Sequence, residues 1–231
     1  MARITEPLPV GDEKVRAVRQ LFDAIAPRYD LVNRVMTFGL DVGWRRQTAE
    51  ALALDANSLV CDLACGTGDL CRELQDAGHR AIGIDLSWGM LAAAKTEAPL
   101  VQADILRLPI PDGSIDGITC GFALRNVVSL VALFAECARV LRPGGRVAFL
   151  EVAEPRSRVL RFGHGLYFRR VVPFIGGVLS DRSAYSYLPR STAYLPEPQD
   201  LLKTLAAAEF DGVRRRLLGM GAAQLIVGTR A

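Results

Sequence analysis

The chain has 231 residues, half of them hydrophobic, so it is long enough for one α/β domain with a sizeable core. A net charge of +3 is too small to argue for a nucleic-acid partner. The first residues are charged rather than apolar, which predicts no signal peptide. The longest apolar run, 171–179, is interrupted and far shorter than the ~20 residues that span a bilayer. We therefore expect a cytoplasmic protein. Peripheral contact with the inner face of a membrane is an open alternative.

The five cysteines are odd in number and fall within predicted strands and helices, which is typical of reduced thiols in the cytosol. Their spacing matches no zinc pattern, so no metal site is predicted. They are Cys61, Cys65, Cys71, Cys120 and Cys137.

The N-terminal quarter is predicted to be helical. Residues 1–11 have no periodicity and predict a loose tail, with Asp12 or a neighbour capping the next helix. Apolar residues at helical spacing then predict three helical segments, at 15–25, 29–40 and 44–54. Their polar and aromatic side chains fit either ordinary core packing or a helical lid over a ligand.

A short apolar run at 59–63 predicts a strand buried on both faces of a parallel sheet. Gly66 and Gly68 follow it in a turn where a missing Cβ lets the backbone approach a ligand closely. Asp85 ends a second strand-like run and lies 17 residues beyond Gly68. Nucleotide-binding α/β folds place an acid for the ribose hydroxyls at a similar spacing of roughly 20 residues. This pair predicts a nucleotide-cofactor site, for a dinucleotide or a methyl donor.

Strand and helix alternate from 58 to 152, which predicts a doubly wound, mostly parallel sheet. Helices are expected at 70–77, after a cap at Ser87, and at 130–141, and further strands at 100–102, 115–120 and 146–152. Ala103 and Asp104 follow the third strand at the carboxyl edge of the sheet, where ligands bind. A helix at 199–208 precedes two runs, 213–218 and 223–228, that predict an antiparallel hairpin and bring the sheet to seven strands.

The loop Asp62-Leu-Ala-Cys-Gly-Thr-Gly-Asp69, with Asp85, Ala103-Asp104 and Leu141-Arg-Pro-Gly-Gly145, resembles the class I S-adenosylmethionine-dependent methyltransferases over about 56–152. Further stretches are similar to one branch, the ubiquinone/menaquinone biosynthesis C-methyltransferases. They are Tyr29-Asp-x-x-Asn33 with Trp44, Phe122-Ala-Leu-Arg-Asn-Val127, Arg139 to Glu151, and Tyr185-x-Tyr-Leu-Pro-x-Ser191. The chain departs from that branch at Gly121 and Ala123, where relatives often carry Ser and Gly.

The resemblance implies a Rossmann-like single domain in four parts: N-terminal helices (1–55), a cofactor-binding core (56–152), a helical substrate cap (153–210) and the hairpin (211–231). It implies S-adenosylmethionine as the cofactor. The backbone of Gly66, Thr67 and Gly68 would meet its methionine part, Asp85 its ribose and Asp104 its adenine, with Ala103 and Gly121 beside them. Asp62 fits either a cofactor contact or a loop support, and ordinary helix capping is the alternative for Asp85 and Asp104.

The resemblance also implies a prenylated quinol as the substrate, with Arg125 and Asn126 handling its ring. Arg125 is a poor base because an arginine guanidinium keeps its proton in proteins, so its implied task is to stabilise an oxyanion or orient a water. His164 is the alternative titrating group, since His79 lies in a turn remote from the predicted edge.

The Arg- and aromatic-rich segment 156–188 predicts helices inserted over the sheet edge. Its apolar side chains fit core packing or a groove for a prenyl tail, and its arginines fit a solvated face or attraction to an anionic membrane. The apolar set is Leu160, Phe162, Leu166, Tyr167, Phe168, Val171, Val172, Phe174 and Ile175, and the basic set is Arg156, Arg158, Arg161, Arg169 and Arg170.

Other functions stay open to different degrees. Another phenolic or natural-product acceptor keeps the same fold and cofactor. A nicotinamide-dependent oxidoreductase is disfavoured because the loop lacks the third glycine of the dinucleotide fingerprint. An RNA or DNA methyltransferase is disfavoured because no Asn/Asp-Pro-Pro-aromatic motif follows the fourth strand. A non-catalytic cofactor-binding regulator is not excluded, and the sequence does not fix the oligomeric state, a homodimer included.

Overall fold

The computed structural model describes residues 10–155, 157, 165, 167, 187 and 190–231. Its first part is three helices, α1 (Gly11–Ile25), α2 (Tyr29–Met36) and α3 (Leu40–Ala51), with a 3₁₀ turn at Ala26–Arg28. The third helix begins at Leu40, earlier than predicted: α2 ends at Met36, and Gly39, with φ = 74°, is the N-cap residue of α3. The predicted Asp12 cap is wrong: Val10 is the N-cap residue, and no side chain caps this helix.

Seven strands form one sheet in the order β3-β2-β1-β4-β5-β7-β6. They are β1 (Leu59–Leu63), β2 (Arg80–Asp85), β3 (Leu100–Gln102), β4 (Ile115–Gly121), β5 (Leu141–Val152), β6 (Phe210–Leu218) and β7 (Ala223–Arg230). The first five run parallel, and β7 pairs antiparallel with both β5 and β6. This architecture confirms the predicted Rossmann-like fold and its C-terminal hairpin.

Strand β5 begins at Leu141, earlier than the predicted start at 146. Leu141 pairs with Ile115, and the register then shifts before Gly117 pairs with Arg146. The Pro-Gly-Gly stretch therefore forms a bulge within the strand, whereas the sequence predicted a turn before it. Pro and Gly favour both a turn and a bulge, so residue types alone do not distinguish the two.

Further helices are α4 (Asp69–Asp76), α5 (Trp88–Ala92), α6 (Leu130–Val140) and α7 (Pro198–Ala207), and further 3₁₀ turns lie at Leu124–Asn126, Thr192–Tyr194 and Gly219–Gly221. Side chains of β5 alternate between two apolar clusters, as expected for a strand covered on both faces. Val147 and Phe149 pack with α6 and α7, whereas Ala148 and Leu150 pack with α3 and α4. All five cysteines are free, as predicted, and all five are buried.

The predicted helical insertion at 156–188 lies almost entirely outside the described residues, so its helices stay a prediction. Within the described ranges, no helix is both long enough and apolar enough to cross a membrane.

The strand order reverses between β1 and β4, since the chain goes outward to β2 and β3 on one side and to β4 and β5 on the other. Open α/β sheets bind ligands in the crevice at the carboxyl ends of the strands beside such a reversal. The topology therefore directs attention to the loops that follow β1, β2 and β4.

Candidate active site

A cavity of about 850 Å³ opens at this point of the sheet. The loops after β1, β2, β3 and β4 form one side of it, and α1 and Tyr29 form another. This volume includes space that is open to solvent, so the site is an open cleft. The lining residues are Val15, Val18, Arg19, Phe22, Tyr29, Ala64, Gly66, Asp85, Leu86, Ser87, Met90, Asp104, Ile105, Leu106, Gly121, Phe122, Ala123, Asn126, Val127 and Val128.

Asp85 is held by the backbone on both of its carboxylate oxygens. The N–H of Gly66 donates to Oδ2 and the N–H of Ser87 to Oδ1, each at 2.8 Å. Burial raises the pKa of Asp85, and the hydrogen bonds from the backbone oppose that shift. Each carboxylate oxygen keeps a free lone pair, so the side chain can still accept hydrogen bonds from two hydroxyl groups.

The two glycines of the turn have different tasks. Gly66 lines the cavity, and a Cβ added to it would meet only the Met90 sulfur, at 4.0 Å. A Cβ on Gly68 would lie 2.5 Å from Cγ2 of Thr96. Both have positive φ, 56° and 82°. Gly66 therefore leaves open space for a ligand, whereas Gly68 allows the turn to pack tightly against its neighbour.

Two predicted cofactor residues, Thr67 and Asp62, are not among the described residues that line the cavity. The Thr67 hydroxyl donates to the carboxylate of Asp30, which ties α2 to the turn. Asp62 is 1% exposed and accepts a hydrogen bond from the Thr119 hydroxyl at 2.8 Å. Burial raises the pKa of Asp62 to about 7. This geometry favours the loop-support alternative for Asp62.

The segment after β3 gives the cavity an acid and an apolar slot. Asp104 is exposed and lines the cavity together with Ile105 and Leu106. Its Oδ1 also accepts the N–H of Leu106 at 2.9 Å in a local turn; no helix lies in the described stretch between Asp104 and β4, so the helix-capping alternative does not apply to it. Ala103 is not among the described lining residues, and its N–H donates to the Asp85 carbonyl at 3.1 Å.

Of the two predicted ring-handling residues, only Asn126 lines the cavity. Its Oδ1 accepts a hydrogen bond from the Tyr187 hydroxyl at 3.1 Å. Arg125 is 5% exposed and directs its guanidinium away, donating to the carboxylate of Glu151 and, through Nε, to the Ser191 hydroxyl at 3.1 Å. Arg125 thus sits behind the cavity wall in this structure. His164 lies outside the described residues.

Glu151, the last residue of the motif that begins at Arg139, anchors the turn after β4. It is 0% exposed and accepts the backbone N–H of Arg125 at 3.1 Å as well as the guanidinium. The signal available in the sequence was an acid at the end of a buried apolar strand, because such an acid needs a cationic partner.

Helix α1 is the largest part of the site that sequence reasoning did not assign. Periodicity predicted that α1 has an apolar face but not what that face covers. Val15, Val18 and Phe22 place that face against the cavity. At the helix end, Asp23 accepts hydrogen bonds from the Ser87 hydroxyl at 2.6 Å and the Gly89 N–H at 2.8 Å. The predicted alternative of an N-terminal helical lid agrees with this placement.

A largely buried ion cluster holds the other N-terminal helices against the glycine turn. Arg34 and Arg45 both pair with Asp41 and with Asp69, which begins α4. Burial raises the pKa of Asp69, but its arginine neighbours outweigh burial and leave it below the usual value. The cluster joins α2, α3 and α4 beneath the cavity loop.

The sheet order, the glycine turn and the cavity beside Asp85 together define the fold of a class I methyltransferase. A solved S-adenosylmethionine-dependent methyltransferase from Thermotoga maritima has this fold, with a TM-score of 0.69 and 17% sequence identity, over 92% of this chain and 99% of that one. The chain belongs to the ubiE/COQ5 methyltransferase family, whose model matches residues 9–230.

Curated relatives cover nearly the whole chain. A demethylmenaquinone methyltransferase from Roseiflexus castenholzii is 42% identical over 98% of both chains. A ubiquinone/menaquinone biosynthesis C-methyltransferase, UbiE, from Geobacter sulfurreducens is 35% identical over 94% of this chain and 90% of that one. The family that the sequence motifs resembled is therefore confirmed.

Proposed function

We propose that the protein transfers a methyl group from S-adenosylmethionine to a ring carbon of a prenylated quinol, converting demethylmenaquinol to menaquinol. The observation that carries the proposal is a single cavity with Gly66 and Asp85 on one wall and Asn126 on another. The similarity to demethylmenaquinone methyltransferases supports this choice of acceptor. A different phenolic or natural-product acceptor is the second candidate, since the same cavity chemistry would serve it.

The residues of the first wall fit the cofactor. Asp85 would accept the two ribose hydroxyls, because its carboxylate is already oriented by two backbone N–H groups. Asp104 would accept the adenine amino group, with Ile105 against the ring. Open space at Gly66 would admit the methionine part. The bound cofactor supplies an electrophilic methyl group on a sulfonium, so the protein's main task is positioning.

The second wall would handle the acceptor. A quinol ring carbon becomes nucleophilic when a phenolic proton is shared or lost, and the developing oxyanion then needs a hydrogen-bond donor. Because Tyr187 occupies Oδ1 of Asn126, the amide N–H₂ of Asn126 is free to donate to that oxygen. Arg125 would act through the backbone and the ion pair with Glu151, holding the turn that presents Asn126.

The apolar side chains of α1 and of the turn after β4 would accept the start of the prenyl tail. Val15, Val18, Val127 and Val128 line this part of the cavity. Within 156–188, the apolar and basic residues that the sequence assigns to a tail groove or a membrane-facing surface lie outside the described part of the chain, apart from Tyr167. Its hydroxyl donates to the Met36 carbonyl at 2.7 Å.

Peripheral contact with a membrane belongs to the proposal, since a prenylated quinol partitions into lipid. Three apolar side chains are exposed here: Leu31 and Val35 on α2 and Phe38 just after it, at 56%, 40% and 79%. Sedimentation with anionic vesicles should retain the wild-type protein, and Phe38→Asp should weaken that retention. Equal retention of both would remove this surface from the proposal.

The function is tested with purified protein, S-adenosylmethionine and reduced demethylmenaquinone, using mass spectrometry of the extracted quinones. The expected product is heavier by one CH₂ unit, because the methyl group replaces a ring hydrogen that leaves as a proton, and a deuterated methyl donor should place the label on the ring. Absence of product here, with turnover on another phenol, would select the second candidate.

A further inference from the structure

Lys14 is a buried cation in the first turn of α1. It is 4% exposed, and its Nζ donates to the carbonyl oxygens of Arg125 and Val127, both at 2.9 Å. The ammonium also lies 3.7 Å from the centre of the Tyr194 ring. No carboxylate in the described part of the chain pairs with it, and burial lowers the pKa of Lys14 to about 8.

The two carbonyl groups that Lys14 binds flank Asn126 in the sequence. Lys14 therefore fixes the backbone on both sides of the residue that lines the cavity. The N–H of Asn126 also donates to the Ala123 carbonyl at 2.8 Å, and its side chain is held by Tyr187. Movement of the backbone at Arg125 or Val127 would displace the Asn126 amide directly.

Helix α1 is attached near both of its ends, and the two attachments reach different parts of the site. Asp23 binds Ser87 and Gly89, which follow the acid proposed to hold the ribose. Lys14 binds the turn proposed to hold the acceptor. The two attachments should therefore affect different kinetic constants.

We propose that Lys14 is a positioning residue for methyl transfer: its ammonium holds the backbone from Arg125 to Val127 so that Asn126 faces the acceptor. The expected change in kcat rests on the proposed function, whereas the fixed position of the backbone rests on geometry alone. An ammonium has three donors and no acceptor, which suits a site made of two carbonyls and an aromatic face. Burying an ammonium without a counter-ion costs free energy. An apolar side chain at this position would not have that cost.

The test compares Lys14→Met and Lys14→Arg with a matched surface control, Lys203→Met, whose lysine is 76% exposed on α7. In Lys14→Met we expect kcat to fall about 10- to 100-fold, since misplacement by ~1 Å can cost ~10²-fold. The dissociation constant for S-adenosylmethionine should stay within about threefold because Asp23 still holds the other end of α1. Lys14→Arg should restore part of kcat, and Lys203→Met should match the wild type.

A pH profile separates this role from a merely structural one. The charged and titratable groups facing Lys14 are Tyr194, whose pKa burial raises, and Arg125, which is bound by Glu151. As pH rises through about 8, Lys14 loses its proton and wild-type kcat should fall. That fall should be absent in Lys14→Arg, because the guanidinium stays charged.

Hydrogen exchange of the backbone amides at 123–127 gives a readout that does not depend on turnover. Faster exchange in Lys14→Met than in Lys203→Met is expected. Unchanged exchange and unchanged kcat would overturn the inference, as would equal proportional losses of kcat and cofactor affinity. If the wild-type protein methylates no demethylmenaquinol, the proposed function fails, and the exchange experiment alone decides the role of Lys14.

Discussion

The carboxylate of Glu151 accepts hydrogen bonds from both the backbone N–H and the guanidinium of Arg125. Both side chains are almost fully buried, at the end of β5 and in the turn after β4. The pair therefore links the strand that follows the cavity loop to the loop itself. Removing one partner of a buried pair destabilises the fold more than removing both, because the remaining partner is left as an unpaired buried charge.

We expect Glu151→Met to lower the free energy of unfolding by about 3–5 kcal/mol. The double variant Arg125→Met/Glu151→Met should be less destabilised than the sum of the two single variants. Urea unfolding of all four proteins gives the coupling free energy. Strict additivity would show that the two side chains do not stabilise the fold as a pair.

Asp85→Asn should abolish the stabilisation that S-adenosylmethionine gives the wild-type protein in a thermal-shift assay. The amide keeps the shape of the side chain but removes the charge-assisted acceptor for the ribose hydroxyls. At about 100 times its dissociation constant a ligand stabilises by about 2.7 kcal/mol, so the loss is readily seen. An undiminished shift would rule out the proposed place of the ribose.

Gly89→Ala should weaken cofactor binding through α1. A Cβ at this position would lie 2.9 Å from the Asp23 Cα and 3.0 Å from its carbonyl oxygen, so α1 must move away from α5. The matched control is Gly43→Ala in α3, where a Cβ would have nothing within 4 Å. That control should be neutral or stabilising by up to ~1 kcal/mol. Calorimetric titration of both variants tests the difference, and equal affinities would mean that α1 does not shape the cofactor site.

The buried Asp62 predicts a stability that falls as pH rises. Burial raises its pKa from 3.8 to about 7 in the folded protein. Between these values the folded state binds more protons than the unfolded state, so protonation favours folding. The free energy of unfolding should therefore decrease from about pH 4 to about pH 7, at up to about 1.4 kcal/mol per pH unit from this group. Denaturant titrations at several pH values over that range should show that the free energy of unfolding falls less steeply with pH in Asp62→Asn than in the wild type. Equal dependence on pH would contradict the raised pKa of Asp62.

The sheet and the first wall of the site were predictable because their signals are local. The apolar run before Gly66, the acid at Asp85 and the cap at Ser87 each depend on a few neighbouring residues. The topology then brings those loops together at one edge.

The rest depends on pairings between distant residues, which local periodicity does not encode. The direction of the Arg125 guanidinium is set by Glu151 and Ser191, which belong to other elements. For the same reason, the predicted capping by Asp12 was wrong. The polar residues near the start of α1 looked like local caps, whereas Lys14 reaches a turn 111 residues away.

The same long separation matters while the chain is being made. Proteins emerge from the ribosome N-terminus first, at roughly 5–20 residues per second. Helix α1 emerges before the turn that it binds, because its contact at Val127 lies 113 residues further on, a delay on the order of 10 s at such rates. Through that interval the apolar face with Val15, Val18 and Phe22 has no cavity to cover. During synthesis, α1 therefore has an apolar face that is open to unwanted association.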